Sequence, residues 1–197
     1  MEGVTIPFLA SATWYSALLQ SLCSNTGSHS DAIAQCNPGT PRRAYARTEI
    51  IATDGRHLTL SIPVEGGASH LKKARDISLL RLSDHGNWRH THLGAIEASY
   101  GRTPFFIHLM PAIREVYSTP AVTLAEFNAT IHKAVFSFLL QDIPPRQAWQ
   151  SAQKPQYSQW ASEISAGISP TVSMLDALMR LGPDTLFGLA SIIKMQR

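Results

Sequence analysis

Trp88, His92, Ile96 and Tyr100 recur every fourth residue, and no other feature of the chain constrains its fold as much. Residues four apart share one face of an α-helix, so Asn87–Tyr100 is predicted to be a helix with an aromatic, apolar row along one side. Arg89, Leu93 and Glu97 form the neighbouring row. His90 lies about 200° around the axis from His92, so the two do not pair on one helix as metal ligands.

The same periodicity continues through Pro104–Tyr117, Thr123–Leu140 and Val172–Leu181, so the C-terminal half is predicted to be helical. Pro104 and Pro183 suit the first turn of a helix. Ser173 and Asp176 have capping-box spacing, with Asp in place of the usual Glu. The Pro- and Gln-rich stretch 142–155 reads as an irregular connection.

The first half is built differently. Asp54-Gly55 separates two apolar runs, Arg47–Thr53 and His57–Val64, which is a strong hairpin signal. Val4–Ala10, Asp31–Gln35 and Asp76–Leu82 read as further strands, and Trp14–Cys23 as a helix capped by Ser11 or Thr13. Asn25–Ser30 reads as a polar turn, and Asn37-Pro38-Gly39-Thr40-Pro41 is a breaker cluster. The expected fold is α/β or α+β: a mixed sheet with an antiparallel hairpin, an N-terminal strand–helix unit and a helical C-terminal half. A length of 197 residues with 44% hydrophobic content suits one domain spanning 1–197.

Charge narrows the function. Seventeen Lys and Arg against fourteen Asp and Glu give a net charge of +3, too slight an excess for a nucleic-acid coat. Two local basic clusters stand out, Arg42/Arg43/Arg47 and Lys72/Lys73/Arg75. Arginine grips phosphate and carboxylate through two parallel hydrogen bonds, so the first cluster fits a small anionic ligand better than a polymer. No apolar run is long enough to span a bilayer, and no positive segment precedes Val4–Ala12 as a secretory signal requires; a cytoplasmic location is the expectation. Two cysteines, Cys23 and Cys36, make no disulfide framework, and Cys36 is the better placed of the two for reactivity because it precedes the arginines.

His92 beside an aromatic wall is the best candidate for moving protons, with Tyr100 to orient it; the competing role is a packing histidine with a satisfied nitrogen. Eight histidines occur without a helical His-x-x-x-His, and His85, His90 and Asp84 would meet only through a loop, so no metal site is expected. Nothing in the sequence specifies a cofactor.

The stretch from Asn87-Trp88 through His92, Ile96 and Tyr100 to Pro104-Phe105-Phe106 resembles the core signature of the WbqC-like family. The apolar segment His57–Glu65, ending Pro63-Val64, resembles the family's strand, and Pro170–Pro183 is similar to its closing motif. The chain departs from the pattern at its start, where Thr5-Ile6-Pro7-Phe8-Leu9-Ala10 lacks the second proline of the family's Gln-Pro and aromatic-Leu-Pro opening, at Tyr45, where the family pairs an arginine with Arg47, at Arg180, where it carries asparagine, and in a short connection after Asp142. The resemblance implies a role in O-antigen or other surface-polysaccharide synthesis, with acyl or aminoacyl (glycine) transfer as the activity. It matches Arg47 to the basic residue after the second strand, and Trp88, His92, Tyr100, Ser173, Asp176 and Gly182 to motif positions. The basic loop, Arg43 included, would hold an anionic, sugar-linked substrate, with Glu97 beside it. The alternative is a non-catalytic ligand-binding or scaffold protein that keeps the fold.

Overall fold

The computed structural model describes residues 5–24, 28–83, 85–141, 143–154, 164 and 166–195. The hairpin forms where Asp54-Gly55 predicts it. Strand β1 (Arg47–Ile51) pairs antiparallel with β2 (His57–Ser61), in the register Arg47↔Ser61 to Ile51↔His57. Gly55 has φ 83°, a left-handed conformation that glycine adopts without steric cost. Among the described residues this two-stranded ribbon is the only sheet. The chain therefore takes the α+β form, with the helical C-terminal half as expected and no parallel pair among the described residues.

Three expected strands are not strands. Thr5–Ala10 is buried, as its apolar residues require, but it is irregular: Leu9 has φ 41° and Pro7 has no N–H to give a ladder. It is held singly instead, through Phe8 N–H to the Ala44 carbonyl at 3.0 Å and Thr48 Oγ1 to the Leu9 carbonyl at 3.0 Å. Val4 lies outside the described residues. Asp31–Gln35 falls within helix α2 (His29–Cys36), started by a capping box in which Ser28 accepts from Asp31 N–H and Asp31 accepts from Ser28 N–H. Asp76–Leu82 begins as a 3-10 turn (Ile77–Leu79), because the Asp76 carboxylate accepts the Ser78 N–H at 2.8 Å and diverts the backbone. Only Arg81 and Leu82 keep isolated bridges, to Thr123 and Val64. Of the expected turn Asn25–Ser30, residues 25–27 lie outside the described residues, and His29 and Ser30 are helical.

The helices follow their periodicity. Helix α1 (Ala12–Ser24) buries Trp14 with Leu18 and Tyr15 with Leu19; Ser11, not Thr13, faces its first turn. After α3 (Gly67–Lys73) come α4 (Trp88–Tyr100), α5 (Phe106–Ser118) and α6 (Leu124–Leu140). Helix α6 carries a Thr123/Glu126 capping box. The stretch expected to be irregular holds a helix, α7 (Pro145–Ala152), with Pro145 in its first turn and Ala148, Trp149 and Ala152 buried. Its expected end points, Asp142 and Pro155, lie outside the described residues. Helix α8 (Met174–Leu181) is capped by Ser173, whose hydroxyl accepts the Leu175 N–H. Asp176 does not complete a box; it pairs with Arg180 instead. Gly182 has φ 58°, and a Cβ there would overlap the Phe105 ring. Helix α9 (Thr185–Met195) follows a 3-10 turn containing Pro183. Helix α1 packs on α2, α7 and α9, and α5 on α6.

One polar side chain ties the irregular N-terminal part to this bundle. Asn128 of α6 is fully buried, and its Nδ2 donates to the carbonyls of Ile6 (2.9 Å) and Tyr45 (2.8 Å). No described helix is long and apolar enough to cross a membrane.

Candidate functional site

The residues singled out in sequence fall into three separate places. Trp88 and His92 lie on the buried side of α4, inside an aromatic nest. The His92 ring stacks on Phe8 at 5.8 Å and meets Trp88 (5.2 Å) and Tyr117 (5.9 Å) edge-on. His92 is 4% exposed. Its Nε2 faces the Ser61 carbonyl at 3.2 Å; a carbonyl only accepts, so Nε2 carries the proton. Nδ1 then accepts from the Tyr117 hydroxyl at 3.1 Å. Both nitrogens are engaged and the imidazole is neutral. Burial holds its pKa down to about 4, with the Ser61 carbonyl pulling weakly the other way.

Tyr100 and Asp176 meet in a second place, where α4 faces α8. The Tyr100 hydroxyl accepts the Ile51 N–H at 3.2 Å and donates to Asp176. Asp176 is also paired with Arg180 at 3.0 Å, and Arg180 lies 5.9 Å from the centre of the Tyr100 ring. Burial, then the Asp176 carboxylate, raises the Tyr100 pKa well above its usual value. This arrangement ties the end of β1 to α4 and α8.

Glu97, Arg43 and Arg47 are on the surface. Glu97 pairs with Arg114 at 2.8 Å, and Arg47 Nε donates to Ser61 Oγ across the hairpin at 3.1 Å. Arg43 is exposed on the 3-10 turn Arg42–Tyr45.

A concave surface exists elsewhere. An open-mouthed pocket of about 290 Å³ lies where the end of α2, the turn Arg42–Tyr45 and the start of the turn Ile77–Leu79 meet. One arginine comes from each of the two basic clusters, Arg42 from the first and Arg75 from the second. Their convergence follows from the packing of α3 against the turn Arg42–Tyr45. Arg42 Nη1 donates to the Ala74 carbonyl, which orients the guanidinium and leaves its other N–H groups available. The Arg75 side chain makes no hydrogen bond or ion pair with the described residues. Tyr45, Asn37 and Asp76 complete the polar lining, with Thr5, Ala34 and Ile77 beside them.

Each polar wall is anchored from behind. Tyr45 and the N-terminal segment hang from Asn128 through their backbone carbonyls. Asn37 Nδ2 donates to the Thr5 carbonyl at 2.7 Å. Its Oδ1 is buried and accepts no hydrogen bond from the described residues. Burial raises the Tyr45 pKa, and the Arg42 charge opposes that shift. Asp76 Oδ1 accepts the hydroxyl and N–H of Ser78, which lowers its pKa and keeps it charged. The pocket thus offers two cations against one carboxylate, and it lacks a described side chain tuned to exchange protons near neutral pH. Cys36 does not line it, and burial pushes that thiol up to about 11, away from the reactivity considered for it.

Sequence reasoning named both basic clusters but not the members that converge, and it read Asn37 only as part of a turn. It also missed a buried chain in which Tyr15 Oη meets His132 Nδ1 (3.0 Å) and His132 Nε2 meets His29 Nε2 (3.2 Å). Helices α1, α2 and α6 supply one member each, so no local spacing reveals it. Among the described residues, no group of three or more His, Cys, Asp or Glu gathers as a metal site.

No curated protein and no solved structure matches the chain. The pattern of the WbqC-like protein family matches residues 40–147. That span holds Arg42, Tyr45, Arg75 and Asp76 of the pocket, the hairpin, and the whole Trp88–Tyr100 row, while the stretch 170–183 lies beyond it. With more than half of its length matched, the chain belongs to the WbqC-like protein family.

Proposed function

We propose that this protein binds a small anionic metabolite, one bearing a phosphate or carboxylate, in the pocket between Arg42 and Arg75. The observation that carries the reading is the convergence of these two guanidinium groups, from separate basic clusters, on one concave surface. Arg42 and Arg75 are exposed, and arginines that no protein carboxylate pairs can take an anion through charge-assisted hydrogen bonds. The ligand-binding alternative needs no movement of the fold. A catalytic role for His92 and Tyr100 would require both side chains to leave buried partners that now occupy their polar atoms.

The wider setting is the one that family membership suggests. The protein would act in the cytoplasm as one domain of 197 residues, in surface-polysaccharide or O-antigen synthesis. If acyl or aminoacyl transfer takes place there, the pocket would hold the phosphate of the donor. Arg43 and Arg47, exposed nearby in sequence, would add positive potential at the approach, Trp88 and Asp176 would act by holding the fold, and Glu97 would stay a surface residue paired with Arg114.

The test is isothermal titration with inorganic phosphate, on the natural protein and on Arg75→Gln. Arg75 makes no contact that the fold needs, so the variant should keep its melting temperature and lose affinity by about tenfold or more. Equal phosphate affinity in both proteins would remove the pocket from the function.

A further inference from the structure

We propose that the face around the pocket is a docking surface for a membrane rich in anionic phospholipids, on which the protein lies without crossing it. This goes beyond an anion in the pocket and does not depend on one. The turn Arg42–Tyr45 packs against α3, and Arg42 donates to the Ala74 carbonyl that follows the helix. The two segments Arg42–Tyr45 and Gly67–Leu79 carry Arg42, Arg43, Lys72, Lys73 and Arg75, all exposed, against the single carboxylate of Asp76. They therefore hold a net charge of +4, while the whole chain holds +3, so the remainder sums to −1. All of the net positive charge belongs to this one patch. The next acid before it along the chain, Glu65, is paired with Arg81.

Chain connectivity limits how far the patch spreads. Arg42, Arg75 and Ile77 line the pocket. Arg43 follows Arg42 directly, Lys72 and Lys73 lie three and two residues before Arg75, and Leu79 lies two after Ile77. One residue of chain spans at most about 3.6 Å, so no backbone position among these is more than about 11 Å from the pocket lining. A small anion between Arg42 and Arg75 leaves Arg43, Lys72, Lys73 and Leu79 unused.

Leu79 selects the partner. At 74% it is the most exposed large hydrophobic residue among those described. A nucleic-acid backbone would satisfy the cations and leave this side chain in water. A bilayer surface takes both: cations at the lipid phosphates, leucine at the headgroup–acyl boundary. The two contributions reinforce one another, because a stable peripheral anchor needs a second signal beside a basic patch. The attraction is electrostatic in range and weakens as salt shortens the screening length.

The test is co-sedimentation of the full chain with vesicles of phosphatidylcholine alone and with about one quarter phosphatidylglycerol, with a short DNA duplex as the competing polyanion. Binding to the anionic vesicles alone is expected, with loss in high salt. Replacing Lys72 and Lys73 together by Gln is expected to weaken it about 25-fold, near fivefold per cation. Leu79→Ser is expected to weaken it about tenfold while leaving any DNA binding unchanged. No binding to anionic vesicles, or equal binding to both kinds, overturns the proposal. So does DNA binding tighter than vesicle binding with Leu79→Ser without effect, which would assign the face to nucleic acid. Neither variant touches the pocket lining, so phosphate titration of both separates this surface from the pocket: vesicle binding can fail with phosphate binding intact, and the reverse.

Discussion

Lowering the pH from 8 to 5 should destabilise this protein through two histidines that the fold keeps neutral. Burial holds His92 at about 4 and His132 at about 3, against 6.5 for a free imidazole. The sign follows from proton linkage. Below 6.5 the unfolded chain takes up protons that the folded chain refuses, so stability is complete above 6.5 and falls as pH drops, levelling off only near each folded value. At pH 5 each histidine removes about 2 kcal/mol, roughly 4 kcal/mol together, a large share of the ~5–15 kcal/mol typical of a domain. Exposed Asp31, Asp54, Asp76 and Glu126 have pKa values lowered by hydrogen bonds, and they act in a separate window below ~4.5. The assay is urea unfolding followed by tryptophan fluorescence at pH 8, 6.5, 5.5 and 5. His92→Gln, which cannot titrate, should unfold more easily at pH 8 and lose at most about half of the pH dependence, because His132 and His29, whose pKa values burial also lowers, still act in the same direction. A flat profile between pH 8 and 5 would refute the reasoning. An unchanged slope in His92→Gln would show instead that His92 titrates near neutrality when folded, as a catalytic base would.

Asn128→Ala should cost about 2–4 kcal/mol in urea unfolding, because it strands two buried carbonyls, and it should weaken phosphate binding as well. Gly182→Ala should cost about 2 kcal/mol or more, since alanine meets both a positive φ and the Phe105 ring; a neutral result would mean that Phe105 gives way. Thr123→Ala should cost about 1 kcal/mol through loss of the α6 cap. Glu97→Ala, which breaks only an exposed pair with Arg114, should stay within about 0.5 kcal/mol in the same measurement.

The elements legible in sequence were those whose signal exceeds one turn. Thirteen residues of α4 repeat an i+4 row often enough to fix both helix and buried face, and Asp54-Gly55 carries its own backbone requirement. The five residues Asp31–Gln35 do not separate a period of 2 from one of 3.6, and the deciding signal was Ser28 with Asp31 just upstream. The apolar run ending at Ala10 was correctly placed inside. Burial does not demand a ladder, however, when single bonds from Ala44, Thr48 and Asn128 satisfy the backbone. Helix α7 was hidden because its prolines read as breakers, although Pro145 sits where a helix tolerates it. At the site, arginine clusters are visible as composition. Which arginines line the recess depends on the docking of α3, a long-range event that leaves no mark on either cluster.

The double hydrogen bond from Asn128 also has a consequence in time. Tyr45 of the pocket, and Ile6 next to its lining residue Thr5, hang from one amide in the second turn of α6. They cannot breathe apart as loops usually do; releasing either one breaks a bond to a fully buried side chain of α6. Amide exchange in Phe8 and in Ala46, whose N–H groups are bonded beside those anchors, is therefore tied to global unfolding rather than to local fraying. A surface recess lined by irregular backbone thus shares the kinetic persistence of the core, and the ligand proposed for it would meet it already in shape.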